Sequence, residues 1–293
     1  MNTPSDATTR LSVRDGIATL TLNRPHRRNA MTRAMLQAVC DDFDAVNADD
    51  DVRAVVVTGA GSSFCVGADL ADAGSFGRGQ ALPAENRRDA GGVLALRIFA
   101  CRKPVIAAIN GDAVGVGATM TLPMDVRLAS EATRFAFPFA RRGIVPESCA
   151  SWFLPRVVGI SRALEWTMFG GLIPVTDARE AGLVRSVHAA TSLLDEAHQL
   201  ALRLTSQGSP TSISATRRLL WQGLTLQHPM HSHEQESALL TALAGGPDAA
   251  EGVASFLEKR PPEFRSRSSV ELAAFEGWWA GPEYAPIPLA RGD

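Results

Sequence analysis

Two short apolar stretches, each followed at once by a glycine-containing segment, constrain the fold more than any other feature of this sequence. Residues 54–58 read AVVVT and end at Gly59, and residues 105–109 read VIAAI before Asn110 and Gly111. A short apolar run closed by a turn signal is typical of a buried strand. Both strands therefore belong in the interior, and glycine lets another group approach the backbone where each strand ends.

Strand and helix signals alternate over the first two thirds of the chain. Residues 17–22 alternate as a half-buried strand, residues 126–129 form a third apolar strand, and Thr32 is suited to cap an amphipathic helix. Residues 74–92 are rich in glycine, proline and charge and are predicted to be a loop. Further helices are predicted over residues 161–169, 176–181, 193–204, 211–224, 231–243 and 247–259. The fold class is therefore α/β, with a core over residues 1–200, a helical region over 201–264 and a C-terminal extension over 265–293.

Charge and cysteine usage exclude several classes of function. Lys and Arg total 29 against 31 Asp and Glu, so the net charge of -2 offers no basic surface for nucleic acid or membrane. No apolar run reaches the roughly 18 residues of a membrane span, and residues 1–10 lack the apolar core of a signal peptide. The four cysteines form no CxxC pair and are read as reduced thiols. We therefore expect a cytoplasmic protein.

The two glycine-containing strand exits, residues 59–70 and 110–118, are the candidate sites of chemistry. Each is interpreted either as an ordinary turn or as a place where free backbone N–H groups face a ligand carbonyl. Two converging N–H donors would form an oxyanion hole. A dinucleotide-binding motif at Gly115 and Gly117 is disfavoured, because Met120 stands where the third glycine belongs.

Four ordered motifs together resemble the crotonase (enoyl-CoA hydratase/isomerase) superfamily. The motifs are Asn23-Arg24-Pro25 with Asn29-Ala30-Met31, SFCVGADL at residues 63–70, KPVIAAING at residues 103–111, and GVASFLEKRPPEF at residues 252–264. The resemblance covers about residues 10–265. It implies a β-β-α spiral core, a C-terminal helical region that forms homotrimers or hexamers, and an acyl-coenzyme A thioester as the ligand. No metal or separate cofactor is implied.

The resemblance also implies roles for particular residues. The backbone N–H groups of Ala68 and Val116 would be the two oxyanion donors that stabilise a thioester enolate. The positions expected to grip the pantetheine and nucleotide parts of coenzyme A are Ala30, Ala68, Asp69, Leu70, Phe256 and Lys259.

Departures from the family pattern bear on the reaction. Hydratases of this family have two glutamates, and the matching positions here are Thr119 and Phe139. Hydration needs one group to activate water and one to protonate carbon, which these residues cannot supply. Glu147 instead matches the single catalytic glutamate of Δ3,Δ2-enoyl-CoA isomerases. Its alternative interpretation is an acid at a helix start that interacts with the helix dipole.

The sequence therefore predicts an enoyl-CoA isomerase-like enzyme of fatty-acid metabolism, in which Glu147 moves the proton between apolar walls such as Phe139, Trp152 and Phe153. Two alternatives stay open: a hydratase or other crotonase reaction in which Glu147 has a non-standard partner, and a non-catalytic acyl-CoA-binding protein. The histidines 228, 231 and 233 could mimic a metal cluster, but a solvated helix face is the favoured interpretation.

Overall fold

The structure is a computed structural model that describes residues 7–71 and 88–285. The strands of this part of the chain are β1 Thr9–Arg14, β2 Ile17–Leu22, β3 Ala54–Gly59, β4 Val105–Ile109, β5 Ala113–Val114, β6 Val126–Ser130, β7 Arg134–Ala136, β8 Ile173–Pro174 and β9 Ser186–His188. The α-helices are α1 Arg33–Ala48, α2 Ala90–Ala100, α3 Val116–Thr119, α4 Ala150–Val158, α5 Ile160–Phe169, α6 Val175–Glu180, α7 Leu193–Thr205, α8 Pro210–Gly223, α9 Pro229–Ala244, α10 Pro247–Glu258 and α11 Ser268–Glu271.

The strands form two sheets that alternate with helices along the chain. The larger sheet has the order β1-β2-β3-β4-β6-β9, and every neighbouring pair in it is parallel except β1 with β2. In the smaller sheet β5 runs parallel to β7, and β7 runs antiparallel to β8. The predicted α/β class is therefore confirmed.

The central strands are apolar along their whole length because both faces of the large sheet are covered. Val55 and Val57 of β3 join the main hydrophobic core, which includes α1 and α2. Ala54 and Val56 face the opposite side, where α7 lies. Successive side chains of a strand point to opposite faces, so a strand buried on both sides reads as a continuous apolar run.

The helices after α7 are attached to the core by buried polar contacts. Arg217 of α8 is buried, donates to the Asp125 carboxylate at 2.8 Å and also donates to the carbonyl oxygens of Phe99 and Cys101. The Trp221 indole donates to the other oxygen of Asp125 at 3.0 Å. The predicted boundary near residue 200 falls inside α7, which packs on the large sheet.

Several predicted elements are confirmed, and others differ. The Thr32 side chain caps α1 by accepting from the Met35 N–H at 3.1 Å. Strand β1, which the sequence did not reveal, pairs with β2 at the sheet edge, where most of its residues are exposed. The predicted loop 74–92 was wrong at its end, because α2 begins at Ala90. Residues 74–87 of that loop lie outside the described part of the chain.

Candidate active site

The two glycine-containing strand exits lie side by side. The Cys65 N–H donates to the Asp112 oxygen at 3.1 Å, and the Val114 N–H donates to the Cys65 oxygen at 2.9 Å. Gly117 makes this approach possible, since a Cβ atom at that position would lie 2.0 Å from the Cys65 oxygen. Residues 65–68 are therefore held directly against the start of α3.

The same arrangement leaves the Ala68 N–H free. Met31 pairs with the backbone on either side of Ala68, because its N–H donates to the Gly67 oxygen and its oxygen accepts from the Asp69 N–H, both at 2.8 Å. In a parallel bridge of this kind the N–H of the central residue points away from its partner strand. Within the described residues, the Ala68 N–H donates no hydrogen bond to the chain.

Val116 provides a second free donor. It is the first residue of α3, and the first N–H groups of a helix have no partner within the helix. Ala68 and Val116 both line one small cavity of about 70 Å³. The structure thus brings the two predicted oxyanion donors to the same cavity.

Glu147, from a later segment of the chain, also lines this cavity. The backbone oxygen of Glu147 accepts from the Ala150 N–H at 2.9 Å. Glu147 lies two residues before Cys149, which is the N-cap residue of α4. Ser148 and Cys149 both have positive φ angles, 58° and 54°, so the chain turns sharply immediately after Glu147. Such left-handed residues occur preferentially at functional sites. Glu147 is therefore not part of a helix start, and its side chain reaches the cavity.

The surroundings of Glu147 favour its neutral form. Burial raises the pKa of its carboxyl group to about 8, and the charge of Asp89 and a hydrogen bond with Asp89 act in the same direction. The Ser148 hydroxyl acts in the opposite direction. Loss of water around a carboxyl group and a nearby like charge both disfavour ionisation. Glu147 is the one acidic residue among the described residues that line the cavity.

The walls of the cavity are mainly apolar, but they differ in part from the prediction. Phe139 lines the cavity, as predicted. Trp152 and Phe153 do not, because they pack with Phe99 and Trp221 in an aromatic cluster. The remaining lining residues are Val66, Gly67, Leu70, Val114, Gly115, Pro138, Arg142 and Ile144.

Thr119 and Phe139, which stand at the positions of the two glutamates of a two-glutamate hydratase, have structural roles. Thr119 is fully buried, and its hydroxyl donates to the Gly115 oxygen at 3.2 Å. Phe139 precedes the 3-10 helix Ala140–Arg142 and closes one side of the cavity. Neither side chain can exchange a proton with a substrate.

The predicted coenzyme A positions separate into two groups. Asp69 forms an ion pair with Arg24 at 3.0 Å, and Arg24 also donates to the Ala30 oxygen. Burial acts to raise the pKa of Asp69, but the hydrogen bonds from Arg24 and the Ala71 N–H outweigh it, and the pKa is lowered. Leu70 is exposed at the cavity. Phe256 and Lys259 lie at the exposed end of α10 and do not line the cavity, so their predicted role stays a prediction.

Asp89 and Gly91 are residues of this site that the sequence interpretation missed. Asp89 caps α2, and an aspartate directly before a helical apolar pattern is a capping signal that the loop assignment concealed. Among residues 7–71 and 88–285, the histidines of α9 included, no group of three or more His, Cys, Asp or Glu side chains is placed to hold a metal ion. None of the helices described combines the length and apolarity needed to span a bilayer.

Comparison with known proteins identifies the family of this chain. Residues 12–267 match the family model described as enoyl-CoA hydratase/isomerase. The enoyl-CoA hydratase ACTT3 of Alternaria alternata is 44% identical over 253 residues, which cover 86% of this chain and 83% of that protein. The 1,2-epoxyphenylacetyl-CoA isomerase of Escherichia coli is 34% identical over 262 residues, 87% of this chain and 97% of that protein.

The fold is shared with solved structures as well. The crystal structure of an enoyl-CoA hydratase from Mycobacterium tuberculosis H37Rv superposes with a TM-score of 0.79 at 29% identity, covering 88% of this chain and 98% of that one. The chain belongs to the enoyl-CoA hydratase/isomerase family, the crotonase superfamily. Its α/β core and C-terminal helices are those of the crotonase fold.

Proposed function

We propose that this protein is an enoyl-CoA isomerase-like enzyme that shifts a double bond in an acyl-CoA thioester by moving one proton. The observation that supports this most is a single acidic side chain, Glu147, in the cavity that also holds the free N–H groups of Ala68 and Val116. Two donors and one proton carrier are what a double-bond shift needs.

In the proposed reaction the thioester oxygen accepts hydrogen bonds from the Ala68 and Val116 N–H groups. Ionised Glu147 removes the α-proton of a 3-enoyl-CoA, and the electron pair enters a dienolate whose charge rests on that oxygen. Glu147 then returns the same proton to the γ-carbon and leaves the 2-enoyl-CoA. Each oxyanion donor is expected to contribute about 2.7–4 kcal/mol. The step as proposed transfers no hydride and so uses no nicotinamide, and the two N–H donors hold the negative charge of the enolate.

Hydration is the second candidate. The names of the Alternaria relatives favour it, and so does Asp89, which places a second carboxyl group beside Glu147. However, Asp89 does not line the cavity, and three backbone N–H groups already donate to its oxygens. An Asp89 carboxylate occupied in this way is poorly placed to activate a water molecule.

The test is incubation of the purified protein with a 3-enoyl-CoA and, separately, with a 2-enoyl-CoA, followed by liquid chromatography to separate the isomers and mass spectrometry to detect added water. Isomerisation leaves the mass unchanged, whereas hydration adds one water. We expect conversion of the 3-enoyl-CoA without a change of mass. Water addition to the 2-enoyl-CoA as the main reaction would establish the hydratase alternative, and tight coenzyme A binding without turnover would establish the non-catalytic one.

The first prediction concerns Glu147→Gln. Removal of the proton carrier should lower kcat for isomerisation by about 10²- to 10⁴-fold, because general acid–base groups contribute that much. Glu165→Gln, on the exposed face of α5, is the matched control and should leave kcat unchanged. Equal activity of both variants would remove Glu147 from the mechanism.

We also propose that the helical region 201–264 mediates the homotrimer or hexamer that the family resemblance implies. Val253, Phe256 and Leu257 of α10 are apolar and exposed in the single chain, which supports a contact there. Size-exclusion chromatography with light scattering tests this, and a monomer at micromolar concentration would contradict it.

A further inference from the structure

Asp89 is held in place entirely by the backbone of two separate segments. Its Oδ1 accepts from the Gly91 N–H at 2.9 Å, and its Oδ2 accepts from the Gly92 N–H at 2.8 Å and from the Ser148 N–H at 2.6 Å. The first two bonds cap α2, and the third joins α2 to the residue directly after Glu147. The Asp89 carboxylate thus fixes the start of α2 against the turn that presents Glu147.

The oxygens of Glu147 and Asp89 surround Gly91. A Cβ atom on Gly91 would lie 2.2 Å from Ser148 Oγ, 3.2 Å from Glu147 Oε2 and 3.3 Å from Asp89 Oδ1. A methyl group has no room there, so glycine is what allows these polar atoms to meet. The Glu147 and Asp89 carboxyl groups therefore both lie beside Gly91, and the charge of Asp89 raises the pKa of Glu147 after burial has done so.

The hydrogen bonds that Asp89 accepts indicate which of the two groups holds the proton. Three backbone N–H groups donate to the Asp89 carboxylate oxygens. Such donors stabilise a charged carboxylate more than a neutral carboxyl group, so the proton of the pair belongs to Glu147. The N-terminus of α2 also favours negative charge at Asp89.

We infer that Asp89 is a positioning residue that keeps the exchangeable proton of the site on Glu147 and orients the Glu147 carboxyl group toward the cavity. This inference rests on the proposed function, since it concerns the residue proposed to move the proton. Asp89 does not itself touch substrate. Because it stabilises protonated Glu147, it makes ionised Glu147 a stronger base toward a weakly acidic α-proton.

Other ionisable groups near Glu147 do not account for this effect. Burial raises the pKa of the Cys65 thiol to about 12, so Cys65 is uncharged near neutral pH. Burial, and after it the charge of Asp89, raise the pKa of Cys149. The cation Arg142 lines the cavity, and Arg88 lies near Cys149; positive charges there would favour ionised Glu147.

The test is the titration of Glu147 followed by carbon NMR of glutamate labelled at its carboxyl carbon, with Glu147→Gln used to assign the signal. In the unaltered protein at pH 7 we expect a mainly neutral Glu147. In Asp89→Asn and Asp89→Ser the Glu147 titration should move down by about one pH unit or more. Ser209→Ala removes the N-cap of α8 and is the control for loss of a cap; it should not move the titration.

Kinetics provide a second measurement. The inflection of kcat/KM against pH should move down with the titration in both Asp89 variants, and the plateau rate at high pH should fall. A purely structural role would lower the rate at every pH without moving the inflection. An unchanged Glu147 titration in either folded variant would overturn the inference. If no isomerase activity is found but the titration moves, the proposed function fails and the inference about Asp89 stands.

Discussion

Main-chain amides form one side of the cavity, and side chains form the other. The Ala68 and Val116 donors are held by backbone bridges and by the first turn of α3. Glu147 and Asp89 are held by a helix cap, a left-handed turn and the space beside Gly91. Substitution of side chains on the amide side should therefore have little effect, unless the new side chain separates the two backbone segments. The acid side should respond to single side-chain changes and to pH.

The largest effect is expected where that close approach is blocked. Gly117→Ala would place a Cβ atom 2.0 Å from the Cys65 oxygen, so the backbone of one strand exit must move. We expect a loss of about 3 kcal/mol or more in the free energy of unfolding, at or beyond the upper end for overpacked sites. Chemical denaturation measures it.

Gly245→Ala is the matched control for this change. Gly245 lies at the end of α9 with φ of -87°, and a Cβ atom there has no neighbour within 4 Å. The substitution should leave stability almost unchanged. Similar losses of unfolding free energy in Gly117→Ala and Gly245→Ala would show that the close contact with the Cys65 oxygen is not the cause of the loss at Gly117.

On the acid side, the raised pKa of Glu147 predicts how the free energy of unfolding depends on pH. The folded-state pKa of Glu147 is raised from an ordinary value of 4.5 to about 8. The stabilisation linked to this proton is therefore complete below pH 4.5 and is lost as the pH rises toward 8. Relative to Glu147→Gln, the protein should lose about 1.4 kcal/mol of unfolding free energy for each unit of the pKa shift.

Denaturation at a series of pH values between 5 and 9 tests this prediction. The unaltered protein should become steadily less stable relative to Glu147→Gln as the pH rises, and Glu165→Gln should follow the unaltered protein throughout. A difference that stays constant across this range would mean that Glu147 keeps an ordinary pKa in the folded state.

The smallest effect is expected for Val116→Ala. The donor at this position is the main-chain N–H, which the substitution retains, so kcat should change by no more than about threefold. The buried side chain loses methyl groups, so a modest loss of stability should accompany the change. A large fall in kcat with normal folding would show that the valine side chain itself contacts the reacting group.

Much of the fold could be predicted from sequence because local patterns and tertiary structure agree there. The strands at residues 17–22 and 105–109 and the helix capped by Thr32 are found as predicted. The failures have physical causes. Strand β1 is mostly exposed and has no strong apolar signal of its own. The two glycines that follow Asp89 disguise the start of α2, since glycine is a poor helix former.

The candidate site, too, was predicted only in part from the sequence. The motif resemblance led to Ala68, Val116 and Glu147, and all three line one cavity. Asp89 was assigned to a loop because of the composition of residues 74–92. Its partner Ser148 is 59 positions away in the sequence. Nothing in a single sequence marks a hydrogen bond of that separation.

The sequence by itself determined the α/β class, the family and the residue types available for proton transfer, because these depend on short-range apolar patterns and ordered motifs. Only the tertiary structure decided that Trp152 and Phe153 do not line the cavity. It also decided that Asp89 lies close to Glu147 without lining the cavity itself. The physical reason is that protonation depends on burial and neighbouring charge, and distant segments supply both only when the chain is folded.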